Sequence, residues 1–326
     1  MEKKKLLIID CNSLIHRAYH ALPPLTTKEG ELVNAVYGFL LVFSRAIKEF
    51  RPSFIAAAFD FPAPTFRHKK YKEYKAKRPP APEDLRQQIP KTKEVLGGFN
   101  VPIFEKEGFE ADDIIGTIAC LVQKKPISLK IETVIISGDL DALQLINAFT
   151  KVYALRRGVK DIFLYDEEGV QKRYGLSPQQ LLDFKALKGD PSDNIPGVLG
   201  VGEKTAINLL LDFGSLENLY QEIEENSEKA KKIKPKLKET LLEYKEQAFF
   251  SKSLVQIKKD VPIDFNFKKC QWGKYDQGKV TKILRDLEFY SLINRLPEFQ
   301  KSKQRGKTPL EINRQPPKKH QLNINF

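Results

Sequence analysis

The chain combines short, almost wholly apolar runs with longer segments in which apolar residues recur every three or four positions. The runs KLLII, FIAAAF and TVII are typical of buried strands, and a fourth, shorter strand is predicted nearby; these strands cover 5–9, 54–59, 133–136 and 101–105. Segments with helical spacing separate them, namely 12–21, 34–50, 83–99 interrupted by Pro90, and 111–124. Buried strands that alternate with helices indicate βαβ units. The pattern therefore predicts an α/β fold with a mostly parallel central sheet flanked by helices.

Beyond about residue 178 the strand pattern ends and only helical spacing continues. The predicted helices there are 181–187, 204–213, 216–225 and 235–250. Residues after 299 offer little apolar surface to bury, so we expect a flexible tail. The organisation predicted is an α/β domain over 1–178, a helical region over 179–299 and a tail over 300–326.

Composition excludes several classes of protein. With 326 residues, 41% of them hydrophobic, the chain can bury a sizeable core. No apolar run approaches the roughly 20 residues that span a bilayer, and Asp10 interrupts the N-terminal run before it resembles a signal peptide. Cys11, Cys120 and Cys270 are too far apart for a disulfide framework or a CxxC metal site. We expect a monomeric cytoplasmic protein with no membrane association.

The net charge of +13 is unevenly distributed and suggests a polyanionic partner. Two segments, 67–78 and 301–319, each carry seven basic residues and one acid. A single charged run is usually no more than a solvated face. In the first run, however, aromatic side chains lie among the cations, including Tyr71 and Tyr74. Cations that hold phosphates beside rings that stack on bases favour binding of a single strand.

Acidic residues follow three of the predicted buried strands, as Asp10, Asp60 and Asp139. Because ligands of an open parallel sheet bind at the carboxyl ends of its strands, these acids are expected at one edge. Further acids occur in short clusters, and these are Glu110, Asp112, Asp113, Asp141, Asp190 and Asp193. Each cluster alone fits a helix start or a turn equally well. Carboxylates gathered together raise one another's pKa unless cations neutralise them, so the full set predicts two or more Mg²⁺ or Mn²⁺ ions and phosphodiester chemistry.

Four long motifs carry a resemblance to a known family, and they occur in its order. They are FDFPAPTFRHKKYKEYKAKRPPAPEDLRQQ, EGFEADDIIGTIA, SGDLDALQL and ALKGDPSDNIPGVLGVGEKTA. They resemble the 5′-nuclease (flap endonuclease) family, and most of all the N-terminal 5′-3′ exonuclease domain of bacterial DNA polymerase I and its stand-alone relatives. The resemblance covers about residues 5–297. It implies a PIN-like sheet, a helical arch over about 64–93, and a helix–loop–helix (H3TH) element that grips duplex DNA.

The resemblance also assigns roles to the acids. Four of them resemble ligands of a first metal ion, namely Asp10, Asp60, Glu110 and Asp112. Asp139, Asp141 and Asp190 resemble ligands of a second ion. Asp113 and Asp193 match outer acids that act through water.

The DNA contacts implied by the resemblance come from three places. In the arch, Lys75 and Arg78 match residues that contact the scissile phosphate, Tyr74 matches a stacking ring, and Arg67 is a further DNA-binding cation. On the first helix, Arg17 lies where the family has a basic residue near DNA. His16 matches a ring that stacks on an unpaired base, with an ordinary helix-face histidine as the alternative. In the family, a glycine-rich element binds the backbone of the duplex and often a K⁺ ion. The residues of this chain that match it are Gly197, Gly200, Gly202, Lys204 and Thr205.

Two features depart from this pattern or extend it. Leu140 lies between two acids where relatives commonly carry Lys or Arg, so we expect altered metal affinity or rate. The chain ends QLNINF, which resembles the peptide that binds the bacterial sliding clamp, through Gln321, Leu322, Ile324 and Phe326. The alternative is a linker that leads to a polymerase domain.

Taken together, the sequence predicts a divalent-metal-dependent 5′ nuclease. Its expected substrates are 5′ flaps, nicks and RNA primers on duplex DNA in replication and repair. Two alternatives remain, a catalytically silent protein that binds branched DNA and a PIN-like ribonuclease.

Overall fold

One six-stranded sheet forms the centre of the N-terminal domain. The structure, a computed structural model, describes residues 4–124, 131–294 and 296. The strands are β1 (Lys5–Asp10), β2 (Phe54–Ala58), β3 (Ile103–Phe104), β4 (Glu132–Ser137), β5 (Thr150–Arg157) and β6 (Asp161–Tyr165). Their order across the sheet is β3-β2-β1-β4-β5-β6. The first five are parallel and β6 is antiparallel to β5, which confirms a mostly parallel sheet.

The order of the strands reverses at β1. Leu7 of this strand is paired with Ile55 of β2 on one side and with Val134 of β4 on the other. From β1 the chain adds strands first in one direction and then, starting with β4, in the other. Such a reversal opens a crevice at the carboxyl ends of the central strands, which is where open α/β sheets bind their ligands.

Fourteen α-helices surround and extend this sheet within the described residues. Those of the N-terminal part are α1 (Cys11–Ala21), α2 (Asn34–Phe50), α3 (Phe66–Lys70), α4 (Glu83–Arg86), α5 (Gln88–Gly98), α6 (Ala111–Gln123) and α7 (Glu167–Tyr174). Those that follow are α8 (Gln180–Lys188), α9 (Glu203–Phe213), α10 (Leu216–Glu224), α11 (Pro235–Glu243), α12 (Lys245–Val255), α13 (Gln277–Asp286) and α14 (Tyr290–Ile293). None of the helices in the described ranges is both long and apolar enough to cross a membrane.

The apolar side chains form three main cores. Helices α1, α2, α5 and α13 cover one face of the sheet, with Phe39, Phe43 and Leu284 in that core. Helix α6 covers the other face, where it packs against β1 and β2, with Ile114 and Ile118 in that core. A separate core, built from α8 to α12, holds the helical region together.

The helical region ends earlier than the predicted boundary at 299. Ile257 and Val261 belong to the core beneath α6, and Val280 and Ile283 of α13 pack against α5. The chain therefore returns to the α/β domain after α12, and the apolar face of α13 is buried there. The separate helical unit extends from about α8 to α12.

The predicted arch is only partly helical. Helices α3 and α4 have five and four residues, and turns and the prolines Pro79, Pro80 and Pro82 lie between them. Pro90 does not interrupt α5, because it is the third residue of that helix, where its missing N–H has no intrahelical partner. The predicted helix 235–250 is in fact two, α11 and α12, divided at Tyr244.

Candidate active site

Asp10 lies at the centre of the crevice, where β1 ends and α1 begins. Its carboxylate caps α1 by accepting from Ser13 N at 3.2 Å, and Ser137 Oγ donates to it at 2.5 Å. The side chain is almost fully buried. Burial, together with the charges of Asp60 and Asp139, raises the pKa of Asp10 to about 6, although the two serine hydrogen bonds oppose this rise.

Acids from two neighbouring elements complete this side of the crevice. Asp60 follows β2 and accepts from Ala111 N at 2.7 Å, so it contacts the first turn of α6. Asp112 lies on that turn. Burial raises the pKa of Asp112 well above its usual value, and the charges of Asp10, Asp139 and Asp141 raise it further. The carboxylates of β1, β2 and α6 thus repel one another at one place.

The second group of acids follows β4 and α8. Asp141 N donates to Asp139 Oδ1 at 2.9 Å, which holds the two carboxylates of this short motif together. Burial and Asp139 raise the pKa of Asp141 to about 7 even though Lys185 lowers it. Asp190 behaves in the opposite way, because Lys185 and two hydrogen bonds from Ser192 outweigh its burial and lower its pKa to about 2.

Lys185, which the sequence analysis did not single out, also lines the cavity that contains Asp141 and Asp190. From α8 its ammonium contacts Asp141 and also Asp190, the latter at 2.8 Å. Burial alone would lower the pKa of Lys185, but the two carboxylates raise it, so the side chain stays charged. Lys185 lies in the last turn of α8, five residues before Asp190. This spacing could have indicated from the sequence that the two side chains contact each other.

Two adjoining cavities of about 420 Å³ each contain these groups. Arg17, Gly138 and Asp139 line both of them, and the Arg17 guanidinium donates to Gly138 O at 2.6 Å where they meet. Seven of the nine predicted acids lie along the two cavities, namely Asp10, Asp60, Glu110, Asp112, Asp139, Asp141 and Asp190. The cavity that contains Asp10 is also lined by His16, Lys75 and Arg78.

The segment that carries Lys75 is held against the acids by several contacts. Lys75 Nζ lies 2.9 Å from Glu110 Oε1, and its backbone N–H donates to Asp193 O at 2.9 Å. Arg78 contacts the Asp193 carboxylate. Lys75 has a φ of 55°, a left-handed conformation that is uncommon for a residue other than glycine and costs free energy. The surrounding contacts hold this cation at the rim of the cavity in spite of that cost.

Asp113 and Asp193 lie outside both cavities. Asp113 is completely buried, and its oxygens accept from Arg67 at 2.7 and 2.8 Å, from Lys258 N at 2.8 Å and from Glu110 N at 3.1 Å. With four donors already bound, its carboxylate supports the site from behind. Asp193 is paired with Arg78 and Tyr74.

Three residues that were expected to contact DNA are buried in this structure. Arg67 is 2% exposed, and besides Asp113 it binds the carbonyls of Leu254 and Gln256, so it fastens α3 to the end of α12. Tyr74 is 3% exposed, and its hydroxyl lies 3.1 Å from both Glu110 and Asp193, which leaves no face for a base.

Gly197 is the third of these. It is buried, and a Cβ at this position would lie 2.2 Å from Gly189 N. The glycine therefore permits the chain to approach the residue before Asp190. Gly200 and Gly202 differ, because they are exposed and a Cβ at either position would have open space around it. Lys204, on the first turn of α9, is exposed as well. The part of the loop that can approach a phosphate lies between Gly200 and Thr205.

The carboxylates do not yet converge on single points. In the described part of the chain, no three His, Cys, Asp or Glu side chains are close enough to enclose a metal ion. Lys75, Arg78, Lys185 and the Ser137 hydroxyl contact the acids instead. The predicted clamp peptide, with Gln321, Leu322, Ile324 and Phe326, lies outside the described residues.

The depression at the switch point of the parallel sheet is lined by carboxylates, with a lysine and an arginine at its rim, an arrangement typical of enzymes that hydrolyse phosphodiester bonds. Comparison with known families gives the class more narrowly. The model of the 5′-3′ exonuclease N-terminal resolvase-like domain matches residues 5–175, and that of the 5′-3′ exonuclease C-terminal SAM fold matches 176–278. The chain belongs to the 5′-3′ exonuclease family.

Similar proteins agree with this assignment. DNA polymerase I of Bacillus subtilis is 41% identical over 312 residues, which are 96% of this chain and 34% of that protein. DNA polymerase I of Caldicellulosiruptor bescii is 42% identical over 90% of this chain and 33% of its own length. The chain thus spans about a third of the length of the curated relatives it matches.

Solved structures share the fold at low sequence identity. The T5 D15 protein, co-crystallised with metal ions, is 20% identical, with a TM-score of 0.63 over 88% of this chain and 99% of its own. The catalytic core of Rad2 in complex with DNA substrate is 19% identical, with a TM-score of 0.55 over 90% of this chain and 93% of its own.

Proposed function

We propose that this protein is a divalent-metal-dependent, structure-specific 5′ nuclease that cuts 5′ flaps and removes RNA primers from duplex DNA. The observation that carries the proposal is that seven carboxylates, at the ends of β1, β2, β4 and α8 and at the start of α6, line two adjoining cavities with Lys75 and Arg78 at the rim. Acids alone would repel a phosphodiester. Acids with bound cations attract one and can hydrolyse it.

The residues present fit divalent cations. The donors are oxygens, which suit Mg²⁺ or Mn²⁺. Repulsion from neighbouring carboxylates is one cause of the raised pKa values of Asp10 and Asp141. A bound cation would remove this repulsion. Asp10, Asp60, Glu110 and Asp112 would hold one ion, and Asp139, Asp141 and Asp190 another. Such ions supply activation of a water and stabilisation of the leaving oxygen.

The chain's own residues bind and orient the substrate. Lys75 and Arg78, released from Glu110 and Asp193, would donate to non-bridging oxygens of the scissile phosphate and stabilise the charge that develops there. Arg17 lies between the cavities, where it can hold the strand that passes from one to the other. His16 offers a half-exposed ring for stacking on an unpaired base.

The duplex would lie against the loop from Gly200 to Thr205. Its exposed backbone and the first turn of α9 offer N–H groups to phosphates without contacting bases, which suits recognition of DNA by shape. Carbonyls of the same loop would hold a K⁺ ion. The structural neighbours, one co-crystallised with metal ions and one in complex with DNA substrate, support the nuclease interpretation.

A cleavage assay tests the proposal. A labelled 5′-flap duplex is incubated with the protein in Mg²⁺ and in EDTA, beside single-stranded RNA. We expect cleavage near the flap junction only with Mg²⁺, and none with the double variant Asp139→Asn plus Asp141→Asn. The double variant should still bind the duplex, because the loop between Gly200 and Thr205 is unchanged.

The same assay separates the two alternatives. Duplex binding without any cutting in Mg²⁺ or Mn²⁺ would favour a catalytically silent protein that binds branched DNA. Preferential cutting of plain RNA would favour a PIN-like ribonuclease. The near-complete set of acids in the cavities argues against the first alternative, and the segment around Lys75 together with the glycine-rich loop argues against the second.

The C-terminal peptide remains part of the proposal. Docking of Gln321, Leu322, Ile324 and Phe326 on a sliding clamp would raise the local concentration of the nuclease at nicks and flaps. Clamp affinity measured before and after deletion of 321–326 tests this idea. Equal affinity of the two proteins, or none for either, would remove it.

A further inference from the structure

A cleft lined by lysines runs along α9 in the helical region, separate from the acid-lined cavities. Its volume is about 400 Å³. One wall is a single face of α9, with Thr205, Asn208 and Asp212, which spans about 10 Å of helix. The opposite wall carries Lys229, Lys232 and Lys234. We call this feature the lysine cleft.

The local sequence explains why these lysines point outward. The segment 229–238 holds six lysines and no acid. Ala230 is fully buried, and Ile233 and Leu237 pack against the core of the helical region. The lysines between these anchors are therefore turned to the surface. Because several glutamates precede the segment, the net charge of a longer stretch of sequence does not reveal it.

The cleft has a net positive charge, because its lining holds three lysines and only one acid, Asp212. Lys231 is paired with Glu228 and Lys238 with Asn226, and neither of these lysines lines the cleft. By contrast, Lys232 and Lys234 form no ion pair with any residue in 4–124, 131–294 or 296.

The surroundings of Lys229 and Lys234 also affect the charge of the cleft. Lys229 lies with its ammonium 5.4 Å from the centre of the Phe213 ring, which orients it without removing its charge. Lys234 caps α11, and the first turn of that helix has no acid. Cations at this end of a helix oppose its dipole and cost stability. The fold therefore maintains a positive cleft at a cost in stability.

We propose that the lysine cleft binds the phosphate backbone of the duplex arm and extends the contact made by the loop at Gly200–Thr205. The inference rests on the proposed function and adds a second surface to it. Thr205 belongs to both features, as the last residue of the loop and the first wall residue of the cleft. A DNA strand that meets the start of α9 continues into the cleft. A length of about 10 Å corresponds to about three base pairs.

The chemistry of the cleft favours duplex DNA over a single strand. Phe213 is buried, and the cleft exposes no ring on which an unpaired base could stack. Lysines act as point charges for phosphates and read no sequence. The contact should therefore depend on the length of the duplex and on salt, and be independent of base composition.

The test compares two triple variants with an equal loss of charge. In K229Q/K232Q/K234Q the cleft loses its cations. In K48Q/K160Q/K282Q three exposed lysines of the α/β domain are lost, none of which forms an ion pair within the described residues. Affinity for flap duplexes with arms of 6 to 18 base pairs is measured by fluorescence anisotropy across a salt series, in EDTA so that no strand is cut.

We expect the DNA affinity of the cleft variant to depend less on salt than that of the wild type, but only for duplexes with long arms. The slope of log K against log[salt] should fall by about 2 to 3 for arms that reach the cleft, and stay unchanged for the shortest arm. The arm length at which affinity stops rising should shorten by about three base pairs. The control variant should match the wild type on every arm. Neither variant should melt below the wild type, because the substituted side chains are exposed.

Two results would overturn the inference. One is equal loss of affinity in both triple variants, which would mean that only net charge matters. The other is an unchanged slope in the cleft variant on all arms. Failure of the proposed function is a separate outcome, since it would show as wild-type protein that binds these duplexes and cuts none of them in Mg²⁺.

Discussion

Arg67 and Asp113 form a buried, two-pronged ion pair, with nitrogen–oxygen distances of 2.7 and 2.8 Å. The pair joins α3 to α6, and the remaining donors of Arg67 reach the carbonyls at the end of α12. Three parts of the molecule therefore meet at one guanidinium directly behind the acid-lined cavities.

Removal of this guanidinium should destabilise the fold strongly. Arg67→Ala leaves Asp113 charged, buried and without its partner, so we expect a loss of about 3 to 5 kcal/mol in the free energy of unfolding, measured by urea denaturation. Arg86→Ala is the matched control, because its pair with Glu83 is 60% and 65% exposed and should contribute less than about 1 kcal/mol. Similar losses in the two variants would contradict this role of Arg67.

Two neutralised acids should change stability in opposite directions when metal is absent. Asp112→Asn removes a charge that burial and Asp10 disfavour, so the melting temperature in EDTA should rise. Asp190→Asn removes a charge that Lys185 and Ser192 stabilise, and should cost about 1 to 2 kcal/mol after allowance for solvent screening. Differential scanning calorimetry measures both. A rise in both melting temperatures would refute the assigned pairing of Lys185 with Asp190.

Lys75 should matter more for turnover than for binding. Because its ammonium lies 2.9 Å from Glu110 at the cavity rim, we expect Lys75→Ala to lower kcat by about 100-fold or more, with little change in duplex affinity. Lys77→Ala, an exposed neighbour, is the control and should change kcat little. If kcat and affinity fell in the same proportion for Lys75→Ala, this lysine would be only a docking cation.

The three cysteines should differ in reactivity. Burial raises the pKa of the Cys270 thiol to about 12, so in the folded protein it stays protonated from pH 8 to 9.5, where an unfolded cysteine ionises. Cys11 is also buried, whereas Cys120 is partly exposed. We expect a thiol reagent at pH 8 to modify only Cys120, and to modify all three in denaturant. Fast labelling of Cys270 at pH 9.5 in native protein would contradict its burial.

The same shift has a consequence for stability. The unfolded chain loses the Cys270 proton near pH 9, whereas the native state keeps it until about pH 12. The native state therefore binds more protons in this interval, and the contribution of Cys270 to stability decreases as pH rises through it. Cys270→Ala removes this contribution to the pH dependence.

The sequence was sufficient for much of the fold because its strongest signals are local. The strands that end at Asp10 and before Asp139 are uninterrupted apolar runs, and α1, α2 and α6 have regular spacing. β5 was missed because its apolar core of four residues, 152–155, fits a strand or a helix equally well until β4 lies beside it.

The details of the site depend on contacts that no local pattern contains. The Tyr74 hydroxyl meets Asp193, 119 positions away, and Lys185 meets Asp141, 44 positions away. Burial of Tyr74 and Arg67 follows from these tertiary contacts. A basic aromatic segment has the same composition whether its rings face solvent or protein, so the exposure of each ring could not be predicted.

The close approach of Gly189 and Gly197 links two tasks of this enzyme mechanically. Gly189 immediately precedes Asp190, and Gly197 lies three residues before the loop Gly200–Thr205 that is proposed to receive the duplex. Because a Cβ at either position would clash with the opposite segment, a shift of the loop toward the chain beside it would displace that chain. A duplex seated on the loop would therefore set the position of a carboxylate in the cavity, and a strand without a duplex arm would leave that carboxylate unadjusted. Selection for branched DNA could thus arise from alignment within the site, in addition to affinity for it.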